Sequence, residues 1–172
     1  MTGLIIGVGN RYRGDDGVGC VVAEKLRGLV PSSVQVVEHD GEPLGLVSLW
    51  QAAQWCIVID AVQGDVTDAM EAGRMIVFDR CYEQLPSGFG GCSSHGCGVR
   101  EASAIGQAIG RVPSHLVVVG IVGSCFDGGT VMTDPVRDAI DGTVLAVMRM
   151  VATLENPTLS HHRPNTMGER RQ

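Results

Sequence analysis

The sequence predicts an α/β protein, a three-layer sandwich in which a five-stranded, mostly parallel (partly mixed) sheet carries helices on both faces. Short apolar runs alternate along the chain with segments whose apolar residues recur at helical spacing. The run 55–62 is apolar almost without a break, as in a strand buried on both faces of a parallel sheet. The chain of 172 residues is also long enough for one substantial core. We therefore expect a single domain over residues 1–155.

The first predicted unit is a strand, a glycine-rich turn and a helix. The strand covers residues 4–8, and the turn continues to Gly19 with two adjacent carboxylates, Asp15 and Asp16. The apolar residues that follow recur every 3.6 positions and predict a helix. Its inner face would be formed by Val18, Val21, Val22, Leu26 and Leu29. Sites in open α/β sheets are built at such strand-to-helix turns.

A second strand, a helix and the buried third strand come next. A strand over 34–38 leads through the loop 39–43 into a helix over 44–53. The inward side of this helix would be formed by Leu46, Leu49 and Trp50. The third strand, 55–62, carries a carboxylate, Asp60, at the end of its apolar run.

Two more strands and two helices complete the predicted fold. The strands cover 75–78 and 116–121, and a helix covers 99–109. The sequence Thr133-Asp134-Pro135 predicts the start of the last helix, with a capping side chain just before a proline. One stripe of that helix is apolar and consists of Val136, Ile140, Val144, Val147, Met148, Val151 and Leu154.

Two segments are predicted to lie outside these elements. Residues 80–98 form a long connection rich in glycine, serine and cysteine. Loops of that length inside a compact domain are usually functional or mobile. Residues 156–172 are polar and without periodicity, so we expect a disordered tail.

Composition and charge exclude several kinds of partner. The net charge of −6 argues against nucleic acid or an anionic membrane surface as the main partner. No apolar run approaches the roughly 18 residues of a membrane span, and the N-terminus lacks the pattern of a signal peptide. We therefore expect a cytoplasmic protein whose six cysteines are thiols rather than disulfides.

The topology brings three carboxylates to one edge of the sheet. Loops that follow parallel strands open on the same edge, so Asp15 and Asp16 should lie near Asp60. A carboxylate at a strand end can also simply mark where the strand meets solvent, and this interpretation of Asp60 stays open.

The glycine-rich turn is a poor phosphate-binding loop. Gly7 and Gly9 begin a dinucleotide-binding pattern, but the third glycine of that pattern is missing. A Walker-type loop is excluded because no Gly-Lys-Ser/Thr ending follows. Asp15 and Asp16 would moreover repel phosphate groups. We therefore expect no bound nucleotide cofactor.

The connection 80–98 contains a histidine, His95, between Cys92 and Cys97. These residues permit a metal site, although a structural zinc site would need a fourth ligand. They also permit a nucleophile beside a base, but Gly-x-Ser-x-Gly is incomplete because His95 replaces its second glycine. The third possibility is a loop of small residues without chemistry. Two carboxylates and an imidazole on one edge would suit a divalent metal or acid–base chemistry on a polar substrate.

These motifs together resemble the hydrogenase maturation proteases, endopeptidases that trim the C-terminus of the nickel-containing hydrogenase large subunit. The N-terminal motif of that family is similar to Gly7-Val8-Gly9-Asn10 and Asp15-Asp16-Gly17-x-Gly19. Further matches are Asp40-Gly41, Ile59-Asp60-Ala61, His95-x-x-Gly98-Val99, Gly120-Ile121 and Thr133-Asp134-Pro135-Val136. The resemblance covers about residues 3–150.

The resemblance implies an α/β fold with a partly mixed sheet and a set of site residues. A catalytic, metal-contacting trio maps to Asp16, Asp60 and His95. In that family the trio recognises nickel that is already inserted in the substrate, so nickel is contacted there and not held permanently by the protease. This chain has Asp16 where many members have glutamate, and Glu42-Pro43 where Gly-Thr is usual. Cys92 and Cys97 are not part of the family pattern.

The resemblance also implies the function. The chain would be an endopeptidase that removes the C-terminal extension of the hydrogenase large-subunit precursor after metal insertion. Two alternatives stay open at this point. One is a non-catalytic maturation factor that senses the metal centre, and the other is a related endopeptidase acting on another protein.

Overall fold

A single sheet organises the part of the chain that the computed structural model describes, residues 3–63, 71–79 and 98–156. Its strands are β1 (Gly3–Val8), β2 (Val34–His39), β3 (Trp55–Gln63), β4 (Met75–Asp79) and β5 (His115–Gly123). The helices are α1 (Val18–Leu26), α2 (Pro43–Trp50), α3 (Val99–Ala108) and α4 (Asp134–Glu155), preceded by a short 3₁₀ helix, Gly14–Gly17. The strands lie in the order β2-β1-β3-β5-β4.

The sheet is mostly parallel, with one antiparallel strand. β1 pairs in parallel with β2 and β3, and β3 pairs in parallel with β5. β4 runs antiparallel to β5 at one border of the sheet. The predicted α/β architecture with a partly mixed sheet is therefore confirmed.

Two separate cores cover the two faces of the sheet. Alternate residues of β1 point to opposite faces, with Ile5 in one core and Leu4 and Ile6 in the other. The first core is closed by apolar residues of α1 and α4, and the second by apolar residues of α2 and α3. This arrangement is the three-layer sandwich that the sequence predicts.

Helix α1 packs directly against the sheet because glycine occupies the contact. A Cβ atom added at Gly19 would overlap the carbonyl oxygens of Val8 and Ile59. A Cβ atom at Gly7 would likewise overlap the carbonyl oxygen of Gly19. The two glycines thus allow the 3₁₀ helix and α1 to follow β1 with backbone against backbone, which fixes the position of the loop between them.

Most predicted elements are confirmed, with shifted ends. The predicted helix over 44–53 ends at Trp50, and β5 is longer than predicted. Leu29 was predicted on the inner face of the first helix, and this is wrong. Helix α1 ends at Leu26, because Arg27 is extended and Gly28 has a φ of 81°. The chain therefore turns away, and Leu29 is exposed.

Three predictions fall outside the described residues. The first is the long connection, of which residues 80–97 are not described. The second is the site residue His95, and the third is the disordered tail beyond Asn156. Within the described residues, no helix combines the length and the apolar character needed to cross a membrane.

Candidate functional site

Asp16 and Asp60 lie at the carboxyl edge of the sheet, on neighbouring strand–loop units. Asp16 belongs to the 3₁₀ helix that follows β1, and Asp60 lies within β3, opposite Gly120 of β5. Because β1 and β3 are parallel neighbours, both carboxyl groups come to the same edge. The predicted convergence of these two residues agrees with the structure, although β3 continues three residues beyond Asp60.

Asp60 is a buried carboxyl group, and only one of its two oxygens has a hydrogen-bond partner among the described residues. Its side chain is buried, and Oδ1 accepts a hydrogen bond of 2.8 Å from the backbone N–H of Ala61. Oδ2 has no hydrogen-bond partner among the described residues. A buried polar atom without a partner is unusual and marks a position where another group can bind. Asp60 is therefore more than the solvent-facing end of a strand.

Burial raises the pKa of Asp60 to about 7, and the charge of Asp16 acts in the same direction. The N–H of Ala61 opposes this effect but is a single hydrogen bond. A carboxyl group with a pKa close to neutrality exchanges its proton readily at physiological pH, as general acid–base chemistry requires.

Asp16 is held by the turn in front of it. Its Oδ2 accepts a hydrogen bond of 2.8 Å from the backbone N–H of Asn10. Burial raises the pKa of Asp16, against the opposing effects of the Asn10 N–H and the charge of Arg13. Gly9 makes the turn possible, since its φ is 130° and a Cβ atom there would overlap the carbonyl oxygen of Asp16.

Arg11 fixes the same turn from the outer side. Its guanidinium group contacts Glu24 at 2.8 Å and Glu38 at 3.0 Å, and it donates to the carbonyl oxygen of Cys20. These contacts join the turn to α1 and to β2. The loop that carries Asp16 is therefore held on both sides before any substrate binds.

Asp15 has a different role from its neighbour, and the sequence did not distinguish the two. Asp15 was predicted on the same edge as Asp16 and Asp60, and it does follow β1 next to Asp16, but its carboxylate is occupied by hydrogen bonds within the protein. Its side chain is fully buried and accepts hydrogen bonds from the backbone N–H groups of Ser124, Cys125 and Thr133, at 2.7–3.0 Å. Burial acts to raise its pKa, but these N–H groups and the Thr133 hydroxyl outweigh burial and lower it.

Thr133 connects this carboxylate with the start of α4. It occupies the N-cap position, yet its hydroxyl makes no capping bond to the helix and contacts Asp15 at 2.9 Å instead. The predicted helix start is confirmed, but the prediction of a capping side chain just before the proline is wrong. Pro135 in the first turn lowers the need for such a cap, because it has no N–H to satisfy.

Solved structures with the same fold include two hydrogenase proteases. The hydrogenase maturating endopeptidase HybD from Escherichia coli superimposes with a TM-score of 0.74 at 22% identity, covering 90% of this chain and 93% of that one. The [NiFe] hydrogenase maturation protease HybD from Thermococcus kodakarensis gives a TM-score of 0.67 at 21% identity, covering 88% and 99%. Likeness at this level of identity establishes the fold.

Curated relatives establish the family, although no family model matches the sequence. The hydrogenase expression/formation protein HupM of Azotobacter chroococcum is 27% identical over 162 residues, 88% of this chain and 75% of that protein. The hydrogenase expression/formation protein HupD of Bradyrhizobium diazoefficiens is 30% identical over 155 residues, 87% of this chain and 77% of that protein. The chain belongs to the hydrogenase maturation protease family.

One departure of this maturation protease from the pattern of its family has a structural explanation. Glu42 is the N-cap of α2, and its carboxylate accepts hydrogen bonds from the N–H groups of Leu44 and Gly45, at 3.0 and 2.7 Å. Pro43 follows in the first turn. The capping carboxylate and the proline thus give α2 a defined start in this chain.

A further residue of this maturation protease lies at the site without having been predicted there. Cys20 is buried in α1, and its Sγ lies 3.4 Å from the carbonyl oxygen of Gly9, to which it donates. Burial, followed by the charge of Glu38, raises the pKa of this thiol to about 11. Cys20 is thus a protonated thiol that supports the turn, and the predicted inner face of the first helix did not include it.

The third member of the predicted trio is His95, which lies outside the described residues, as do Cys92 and Cys97. Within the described ranges, no group of three histidine, cysteine or acidic side chains is arranged to hold a metal ion. The described part of the site thus consists of two carboxyl groups, one of them with a free oxygen.

Proposed function

We propose that this protein is the endopeptidase that removes the C-terminal extension of a hydrogenase large-subunit precursor after nickel insertion. The observation that carries the proposal is the pair of buried carboxyl groups, Asp16 and Asp60, at the carboxyl edge of the sheet. Oδ2 of Asp60, which has no hydrogen-bond partner within the part of the chain that the structure describes, offers an oxygen to a cation that arrives with the substrate. Family membership supports the choice of substrate.

In this proposal the site residues recognise the metal centre of the precursor by direct contact. Asp16, Asp60 and His95 contact the nickel that the substrate carries, and so fix the register of the scissile bond. Oxygen and imidazole ligands of this kind suit a divalent transition metal. Because the turn at Asn10 holds Asp16 in place beforehand, recognition does not require the loop to be ordered first.

Asp60 also suits the proton transfers of peptide hydrolysis. Water attacks the scissile carbonyl and must lose a proton, and the leaving amine must gain one. Since the pKa of Asp60 lies at about 7, this group takes up and returns a proton near neutral pH. We therefore assign Asp60 proton transfer while no cation is bound to it, and metal contact in its ionised form, since a neighbouring cation favours the carboxylate.

The partner is thus a protein and not a nucleic acid, in keeping with the net charge of −6. The described cysteines, Cys20, Cys56 and Cys125, are free thiols, as is usual in a reducing compartment. We place the processing reaction in the cytoplasm on this basis.

A processing assay with two forms of the precursor tests the proposal. The nickel-loaded precursor should lose a mass equal to that of its C-terminal peptide, and the nickel-free precursor should keep its mass. An unchanged loaded precursor would favour the alternative of a sensing factor without protease activity. Equal cleavage of both forms would refute recognition of the metal.

A further inference from the structure

The most exposed large apolar side chains of the described residues all lie at the site edge. Tyr12 is 82% exposed, Val131 is 80% exposed and Leu44 is 61% exposed. Other large apolar side chains that reach the surface, among them Leu145 at 57%, lie elsewhere and are less exposed. Exposed apolar residues that are grouped around a site, and not scattered, indicate a contact surface.

The topology places these three residues on both sides of the carboxyl groups. Tyr12 lies in the turn between β1 and the 3₁₀ helix, four positions before Asp16. Val131 lies in the loop between β5 and α4, and Leu44 lies in the first turn of α2, directly after β2. All three segments follow the carboxyl ends of parallel strands, and we name Tyr12, Leu44 and Val131 the edge patch.

The two loops that carry Tyr12 and Val131 are bound to one another. The backbone N–H of Gly129 donates to the carbonyl oxygen of Tyr12 at 2.7 Å, and that of Gly14 donates to Thr130 at 3.2 Å. The N–H of Tyr12 itself is bound by the side chain of Asn10 at 2.9 Å. The backbone at Tyr12 is thus fixed, although its ring packs against little of the protein.

The carboxyl groups alone offer too little surface for a protein substrate. Asp16 is 7% exposed and Asp60 is 2% exposed. A specific protein complex buries about 800 Å² on each partner, with aromatic side chains often supplying much of the affinity. Contact area must therefore come from the surface around the site, and aromatic and aliphatic side chains on a fixed backbone provide it at a lower entropic cost than a mobile loop would.

We infer that the edge patch is the docking surface for the precursor, and that it takes an apolar segment of the large subunit beside the scissile bond. This inference rests on the proposed function, because it names the surface that the same substrate contacts. Tyr12 acts as the aromatic anchor, and Val131 and Leu44 extend the contact on either side of the carboxyl groups. The patch determines affinity for the precursor and takes no part in bond cleavage.

The test compares the glutamine variants Tyr12→Gln, Val131→Gln and Leu44→Gln with Leu145→Gln, an equally conservative change on α4. Each variant is assayed for cleavage of nickel-loaded precursor over a range of concentrations, and for equilibrium binding of the same precursor. Tyr12→Gln should raise both KM and the dissociation constant by about tenfold, with kcat kept within about twofold. Leu145→Gln should match the wild type in every measurement.

The two proposals fail in different ways. If the wild type binds the precursor but does not cut it, the proposed function fails. The dissociation constants of the variants then test the docking surface without the cleavage data. If Tyr12→Gln binds and cleaves with wild-type constants, the docking surface is refuted. The same holds if the wild type is a dimer in solution that Tyr12→Gln converts to a monomer, since the patch would then join two copies of this chain.

Discussion

The carboxylate of Asp15 is bound to both the backbone N–H and the hydroxyl of Thr133, at 2.7 and 2.9 Å. These two residues lie 118 positions apart in the chain. The contact joins the turn after β1 to the start of α4, next to the site carboxyl groups. Asp15 is therefore a structural residue, whereas the adjacent Asp16 belongs to the site.

Asp15→Asn should destabilise the protein by about 3 kcal/mol at pH 7, because an amide N–H₂ would face groups that themselves donate hydrogen bonds. The pKa of Asp15 is lowered in the fold, so its contribution is present above the ordinary carboxyl pKa and is lost as the pH falls through the folded value. Urea unfolding at pH 7 and near pH 3 measures the difference. Asp16→Asn is the matched control and should leave the free energy of unfolding nearly unchanged at pH 7; an equal loss there would contradict the assignment.

Asp60 contributes to stability with the opposite pH dependence from Asp15, and Asp60→Asn should remove that contribution. The pKa of Asp60 is raised from 3.8 to about 7 in the fold, so its stabilising contribution is complete below about pH 4 and is lost as the pH rises to about 7. The variant lacks this loss, and it should be more stable than the wild type by a few kcal/mol at pH 8 relative to pH 4. Unfolding free energies at several pH values test this, and parallel curves for the two proteins would contradict it.

Asp16→Ala, Asp60→Ala and His95→Ala should each reduce processing of nickel-loaded precursor by about 100-fold or more, because metal contact and proton transfer depend on them. Circular dichroism should show folded protein in each case. Asp138→Asn, a change at an exposed acid on α4, should process at the wild-type rate. Full activity in all three alanine variants would show that the trio is misassigned.

Two helical glycines should respond in opposite directions to alanine. Gly19→Ala should destabilise by about 3 kcal/mol or prevent folding, because its Cβ would overlap backbone oxygens of Val8 and Ile59. Gly142→Ala should stabilise by about 0.5–1 kcal/mol, since no atom lies within 4 Å of the added carbon and alanine favours the helix. Thermal unfolding of both variants gives the comparison. Similar melting temperatures for the two would disprove the close packing of α1 on the sheet.

Glu42→Ala should cost about 1 kcal/mol through loss of the N-cap of α2. Glu42→Asp keeps a capping carboxylate and should recover most of the stability. Both changes leave the site carboxyl groups in place, so kcat for the loaded precursor should stay near the wild-type value. A processing defect that exceeds the loss of folded protein would point to a direct role for Glu42 in the site.

The sequence predicts the architecture well because each element carries its own local signal. The apolar run of β3 and the helical spacing of α4 indicate their burial without knowledge of partners. The order of the strands cannot be predicted from these local signals. Parallel pairing of the first and third strands is nevertheless enough to bring Asp16 and Asp60 to one edge. That part of the site is accessible to reasoning from the sequence alone.

The roles of Asp15 and Cys20 are not accessible in that way. Asp15 and Asp16 are chemically identical neighbours, and Asp15 takes its structural role through contacts with residues more than 100 positions later. Cys20 supports the turn through the carbonyl oxygen of Gly9, a contact that exists only because α1 packs against β1 at two glycines. Long-range packing, and not residue type, decides these functions.

The bond between Asp15 and Thr133 also orders the events of synthesis. The turn with Asp16 emerges from the ribosome early, but the groups that bind Asp15 follow only after β5, when most of the chain has been made. The two loops of the edge cannot be locked together before that point. In a growing chain the carboxylate of Asp15 therefore has none of these partners until residues 124–133 have been made, and the acidic turn lacks this support until the last helix begins.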